Sequence, residues 1–116
     1  MIELKEQDIT VVSTKPVCLT YTPTQNDANI NGDVHGGVIF YLCDEAIGRT
    51  VKEMGRVGAA ASGEIHYYRP ARVGESLSAT VSERKIGKRL GVFLVEARTA
   101  TGVLAADALF TVSFAE

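Results

Sequence analysis

The chain predicts an α+β fold in one domain, a single long helix laid against an antiparallel sheet. Three observations carry that expectation. Apolar residues recur with a period near 3.6 across residues 36–54, and with a period of two from Val57 onward. Gly87 and Gly102 interrupt the alternating region where two consecutive hairpins would turn. No repeat, low-complexity tract or linker divides the 116 residues, which are enough for a core without metal or disulfide staples.

The elements follow in order. A short helical or irregular piece over residues 5–12 precedes a first strand at residues 15–22. Residues 23–34 are rich in Asn, Asp and Gly and read as a loop. The helix then runs over residues 36–54 and is ended by Gly55. A strand at residues 59–68 stops at Arg69-Pro70. Leu77, Ala79 and Val81 alternate with Ser78, Thr80 and Ser82, and Phe93, Val95 and Ala97 alternate with Leu94, Glu96 and Arg98. Leu104, Ala106, Ala108, Phe110, Val112 and Phe114 mark the last strand. The expected order is strand, helix, then four strands in a meander-like run.

Composition excludes several functions. A net charge of −2 leaves no electrostatic footprint for nucleic acid or an anionic membrane surface. No apolar run reaches the roughly 18 residues of a membrane-spanning helix. The mixed-charge N-terminus lacks a signal-peptide apolar region. Cys18 and Cys43 have neither CxxC spacing nor a framework, so a reducing cytoplasm is the expected location. Two histidines and no Cys/His cluster argue against a protein-built metal site.

On the helix wheel, Ile39, Phe40, Cys43, Ala46, Ile47, Val51 and Met54 form an apolar arc, and Glu45, Arg49, Lys52 and Glu53 a charged one. Glu45 and Arg49 stand at the i,i+4 spacing of an ion pair, which reads as a solvated face. Asp44 lies at the seam between the arcs, in line with Gly37 and Gly48, which leave space around its carboxylate. Upstream, His35-Gly36-Gly37 opens the helix. Such a start presents unpaired N–H groups and the positive end of the helix dipole, a setting that suits a developing oxyanion. Donors at one place and an acid further along, able to serve as base or nucleophile, point to acyl chemistry.

Spacing adds an assembly. Gly36 and Asp44 are eight residues apart, about 12 Å along the axis. One carbonyl cannot meet both groups of one chain. If both act on one substrate, two antiparallel copies of the helix supply one group each, in an isologous dimer with two sites.

These residues resemble the hotdog-fold thioesterases, in the PaaI-type, phenylacetic-acid branch that acts on acyl-coenzyme A. The resemblance rests on Asn29, Gly32, His35-Gly36-Gly37 and Asp44 at their spacings, on the strand end from Tyr68 to Glu75, and on the two final hairpins. It covers residues 15–114. It implies a central helix on a five- to six-stranded antiparallel sheet, self-association as a homodimer or dimer of dimers, and no cofactor, coenzyme A being part of the substrate. It implies that Gly36 N–H polarises the thioester carbonyl, with Asn29 assisting at that end and Gly37 beside it. Asp44 of the partner would be general base or nucleophile, and His35 structural or carbonyl-orienting. A water-placing serine used by some relatives falls on Ser62 when counted forward from Asp44, and on Ala60 when counted back from Pro70.

Lys85, Lys88 and Arg89 on one turn, and Arg69 and Arg72 on another, are the cations available to coenzyme A phosphates. Glu64 and His66 alternate with Ile65 and Tyr67 and read as a surface pair. Cys43, on the apolar arc, reads as a small buried hydrophobe. Asp107 has no assigned role. Two other functions stay open: a non-catalytic acyl-CoA-binding domain, and a hotdog hydratase/dehydratase, whose Asp-His loop the segment around Asp44 lacks. Acyl carrier protein remains an alternative carrier of the acyl group.

Overall fold

A computed structural model describes residues 4–5 and 8–115. In chain order the elements are β1 (Thr10–Thr14), β2 (Val17–Tyr21), a 3-10 turn at Gln25–Asp27, α1 (Gly36–Glu53), β3 (Gly58–Tyr67), β4 (Leu77–Ile86), β5 (Leu90–Thr99) and β6 (Leu104–Phe114). All six strands join one antiparallel sheet in the order β1-β2-β4-β5-β6-β3. The helix lies across one face, so the architecture is the helix-on-sheet layer pair that the change of period predicts.

Alternation decides which face each strand buries. Val17 and Leu19, then Leu77, Ala79 and Val81, then Phe93, Val95 and Ala97, then Ala108, Phe110 and Val112 are buried toward the helix. The helix answers with Val38, Ile39, Leu42, Cys43, Ala46, Ile47 and Val51. This face is wider than the arc read from the wheel, since Val38 and Leu42 are buried with it. Phe40 packs on Phe110 with ring centroids 5.3 Å apart. The helix ends one residue earlier than expected, with Met54 as its cap and Gly55 at φ +72°. Gly55 N–H reaches the Lys52 carbonyl and Arg56 N–H that of Val51, the paired bonds that close a helix on a left-handed glycine.

Two expectations need correction. Residues 10–14 are strand rather than helical or irregular; residues 6–7 of that N-terminal piece lie outside the described set. Thr10-Val11-Val12-Ser13-Thr14 is rich in β-branched residues, which suit a pleated surface, and Lys15-Pro16 is the turn into β2 instead of the start of a strand. The four later strands are not a meander either. β3 pairs with β6 at the far edge, and the chain then crosses to β4 in the interior. Alternation identifies faces, not neighbours, so it could not see this crossing.

β3 is the exception to burial. All ten of its residues except Ile65 are exposed, on both faces, and one long edge carries no partner among the described residues. A bulge at Ala60–Ser62 inserts one extra residue opposite β6.

Candidate active site

Between β2 and α1 the chain folds back on itself as a miniature hairpin. Its stem is built by His35 N–H to the Asp27 carbonyl at 2.8 Å, an Ala28–Val34 bridge, and Asn29 N–H to the Asp33 carbonyl at 2.6 Å. Gly32, at φ +83°, turns the tip. Val34 N–H to the Ala71 carbonyl, at 2.9 Å, ties the hairpin to the β3–β4 crossing. The Asn29 side chain closes the loop, its Oδ1 accepting from Asn31 N–H at 2.9 Å and Asp33 N–H at 3.1 Å. With that oxygen doubly engaged, Asn29 has only its amide N–H groups to offer a ligand.

His35 is the N-cap of α1, and its side chain makes no capping bond. Its carbonyl accepts from Val38 N–H at 3.0 Å. Gly36 and Gly37 N–H have no carbonyl partner among the described residues. Two oriented donors thus stand at the positive end of an 18-residue helix. Tyr67, which the sequence reading passed over, packs against them. Its hydroxyl donates to the Gly36 carbonyl at 2.8 Å, and a Cβ on Gly36 would meet its ring at 2.8 Å. Gly36 is therefore glycine for lack of room and not for its backbone angle. Burial raises the Tyr67 pKa, which keeps its hydroxyl a donor. Period-two alternation with Ile65 carried the signal that Tyr67 faces the helix. A groove of about 450 Å³ opens here, lined by Asn29, Gly36, Ile39, Tyr67, Arg69 and Pro70.

The acid sits elsewhere. Asp44 is exposed on α1 and lines a second groove of about 360 Å³ with Gly48, Gly58, Ala59, Ala60 and Val112. The two grooves share no lining residue, and both border β3. Donors and acid are thus brought to the same open edge of the chain but not to one another. Glu45 pairs with Arg49 at 3.9 Å, as the i,i+4 spacing suggests, but is half-buried rather than fully solvated. Cys43 is fully buried, and desolvation first, with the Asp107 and Asp44 charges behind it, pushes its thiol up to about 12. A thiol held protonated is no nucleophile at neutral pH.

Counting forward from Asp44 misplaces the serine. Ser62 stands opposite Thr111, on the sheet face away from the helix, because the bulge flips the phase of β3. Ala60, opposite Val112, is the residue beside Asp44. Lys85, Lys88 and Arg89 are exposed around the β4–β5 turn, close to the acid end of the molecule. That turn is held by Arg56, which donates to the carbonyls of Gly87 and Lys88 and lies 3.6 Å over the Phe114 ring. Arg69 is at the donor end, and the backbone of Arg72 pairs with that of Asp33 in an isolated β-bridge. On the outer sheet face His66 bonds Glu64 at 2.9 Å and stacks on Tyr68, whose hydroxyl donates to Asp107 at 2.8 Å. This is the surface pairing expected of Glu64 and His66, and it supplies a partner for Asp107. Among the described residues no cluster of three or more His, Cys, Asp or Glu could hold a metal, and no helix is long and apolar enough to cross a membrane.

The sequence profile of the Thioesterase superfamily matches residues 31–106, from the hairpin tip into β6. The chain belongs to the thioesterase superfamily. Within it, the chain is 33% identical over 78 residues to the acyl-coenzyme A thioesterase PaaI of Escherichia coli K12, covering 67% of this chain and 56% of that protein. The chain spans about half the length of the relatives it matches in sequence. Its fold superposes on the structure of the E. coli PaaI protein of the phenylacetic acid degradation operon with a TM-score of 0.89 and 26% identity, covering 93% of this chain and 80% of that one. A hypothetical thioesterase of Streptococcus pneumoniae TIGR4, solved with coenzyme A, shares the fold at a TM-score of 0.89 and 22% identity over 94% of this chain and 90% of its own. The helix on a six-stranded sheet is the hotdog fold, and the family is PaaI-like.

Proposed function

We propose that the chain hydrolyses the thioester bond of an acyl-coenzyme A, as a homodimer with two equivalent sites. The observation that carries this reading is the division of the site: free helix N-terminal donors in one groove, an exposed carboxylate in another, both against the same unpartnered strand. A two-fold axis beside β3 brings the donor groove of one subunit against the acid groove of the other.

In that site the Gly36 N–H, with Gly37 beside it and an Asn29 amide N–H, holds the thioester oxygen. Asp44 of the partner subunit removes a proton from water as the water oxygen attacks the carbonyl carbon. Charge then develops on the oxygen where the donors wait. Collapse of the tetrahedral species breaks the C–S bond, and the thiolate takes a proton to leave as coenzyme A beside the free acid. In the alternative, the Asp44 carboxylate attacks directly and water hydrolyses the resulting anhydride. Water is the only co-reactant, so no cofactor is required. Ala60, and not Ser62, stands beside Asp44 within one chain, so in this reading Asp44 alone of these holds the water. Arg69 of one subunit and Lys85, Lys88 and Arg89 of the other flank the proposed site and would take the nucleotide phosphates.

Complementation tests the divided site. Asn29→Ala damages the donor end and Asp44→Ala removes the acid, so each homodimer is inactive when assayed by thiol release. Refolding the two together gives about half heterodimers, each with one intact site, and activity recovers to roughly a quarter of wild type. A mixture that stays inactive, with exchange verified by mass spectrometry, places the whole site within one chain.

A further inference from the structure

We propose that Asp27 and Tyr21 are positioning residues that set the direction of the Gly36 donor, an inference that rests on the thioesterase reading above. Asp27 is 1% exposed, a buried carboxylate beneath a surface loop. Burying a charge is unfavourable unless it is paired or well hydrogen-bonded, so such a residue calls for a reason. Its Oδ2 accepts from the Tyr21 hydroxyl and from Thr24 N–H at 2.8 Å, and its own N–H reaches the Thr24 carbonyl at 3.0 Å. Tyr21 is the last residue of β2 and is itself buried. The side chain of Asp27 is thereby fixed to the sheet.

The backbone of the same residue faces the other way. The Asp27 carbonyl accepts from His35 N–H at 2.8 Å, at the base of the miniature hairpin. Gly36 N–H belongs to the next peptide, so only the two backbone angles of His35, φ −55° and ψ 136°, separate the anchored N–H from the free one. Residues 28–34 are internally bonded and form one unit. The Val34 bond to Ala71 holds one side of that unit, and the Asp27 bond to His35 sets its tilt against the sheet. Neither residue lines the donor groove, so their influence on catalysis is carried through the hairpin base, most directly through His35. Sequence alone holds a trace of this: Thr24 and Asp27 stand three apart in the pattern of a capping box.

The direct readout is the carbonyl itself. A 13C-labelled ketone analogue of an acyl-CoA, with methylene in place of sulfur, binds without turning over, and its C=O stretch reports polarisation by the donors. Bound to the wild type the stretch moves to lower frequency than in water. Asp27→Ala removes most of that shift and Tyr21→Phe part of it, while Asp27→Asn, which keeps an accepting oxygen, restores it. On a true substrate kcat falls about 10²-fold in Asp27→Ala, the cost of a misplaced catalytic donor. KM stays within about threefold, as for an interaction made in the transition state only. A merely structural role lowers the folded fraction without changing the frequency of the bound carbonyl. Wild-type frequency in Asp27→Ala and Tyr21→Phe, or an Asp27→Asn as impaired as Asp27→Ala, overturns the assignment. A wild-type protein that neither binds the analogue nor hydrolyses any acyl-CoA overturns the thioesterase reading and this inference with it.

Discussion

Adjacent acids on one helix, Asp44 and Glu45, are given different work by their position alone. Asp44 points into a groove, and Glu45 leans on Arg49 one turn away. Asp44→Asn keeps size and helix but cannot take a proton or attack, so kcat for acyl-CoA hydrolysis falls by at least about 10²-fold with the dimer intact. Glu45→Gln weakens a half-buried i,i+4 pair with Arg49 and leaves turnover near wild type. The reverse result would sink the assignment. Cys43 beside them makes a different prediction. Its folded thiol stays protonated to about 12 while an unfolded thiol ionises from about 9. The unfolded state therefore binds fewer protons above pH 9, and stability present below that pH is lost as pH rises toward 12. Denaturant titrations from pH 8 to 11 check this: wild type loses stability more steeply than Cys43→Ala. At this scale chemistry and spacing drew attention to Asn29, Gly36 and Asp44, and each of them lines a groove. It was least legible at Asp27 and Tyr67, whose importance comes from what they touch across the fold.

Elements were readable in proportion to their periodicity. α1, β5 and β6 fell close to their expected places because each buries one face along most of its length, while β4 runs past its alternating stretch, Leu77 to Ser82, into exposed residues. β1 escaped notice because it is five residues long and mostly exposed, so no alternation marks it. The bulge in β3 defeated counting outright, moving Ser62 to the wrong face. The β4–β5 turn tests an element as a unit. Reversing the charge of Lys88 and Arg89 together raises KM for acyl-CoA far more than it lowers kcat, because distant phosphates are bound alike in ground and transition states. The matching acyl-pantetheine thioester, which lacks the nucleotide, is indifferent to the change. Equal effects on both substrates would make the hairpin structural, a role in which Arg56 already holds it.

For the whole molecule the decisive feature is β3, ten residues long and open along one edge. Ala61 is the extra residue of its bulge, exposed and small. A lysine there sets two like charges near the two-fold axis and blunts the edge. Ala61→Lys should elute at the mass of one chain with unchanged circular dichroism and no thioesterase activity. A monomer with full turnover would show that the site does not need two subunits. The two-copy proposal comes from one distance legible in the sequence, the length of helix between Gly36 and Asp44. Which strand lies open at the margin was not legible, since that depends on the crossing from β3 to β4.

The two margins of this sheet are unlike. β1 is short, irregular between Val11 and Ser13, and is followed at once by the Lys15-Pro16 turn, while β3 is long and rich in alanine and glycine. A sheet with two receptive margins can be extended by copy after copy and has no natural end. In the proposed dimer one margin is dulled and the receptive side of each copy is consumed by the other, so addition would stop at the first copy. The feature that would seed a fibre in a symmetric strip would there be a coupling used once, set by the difference between the first strand and the third.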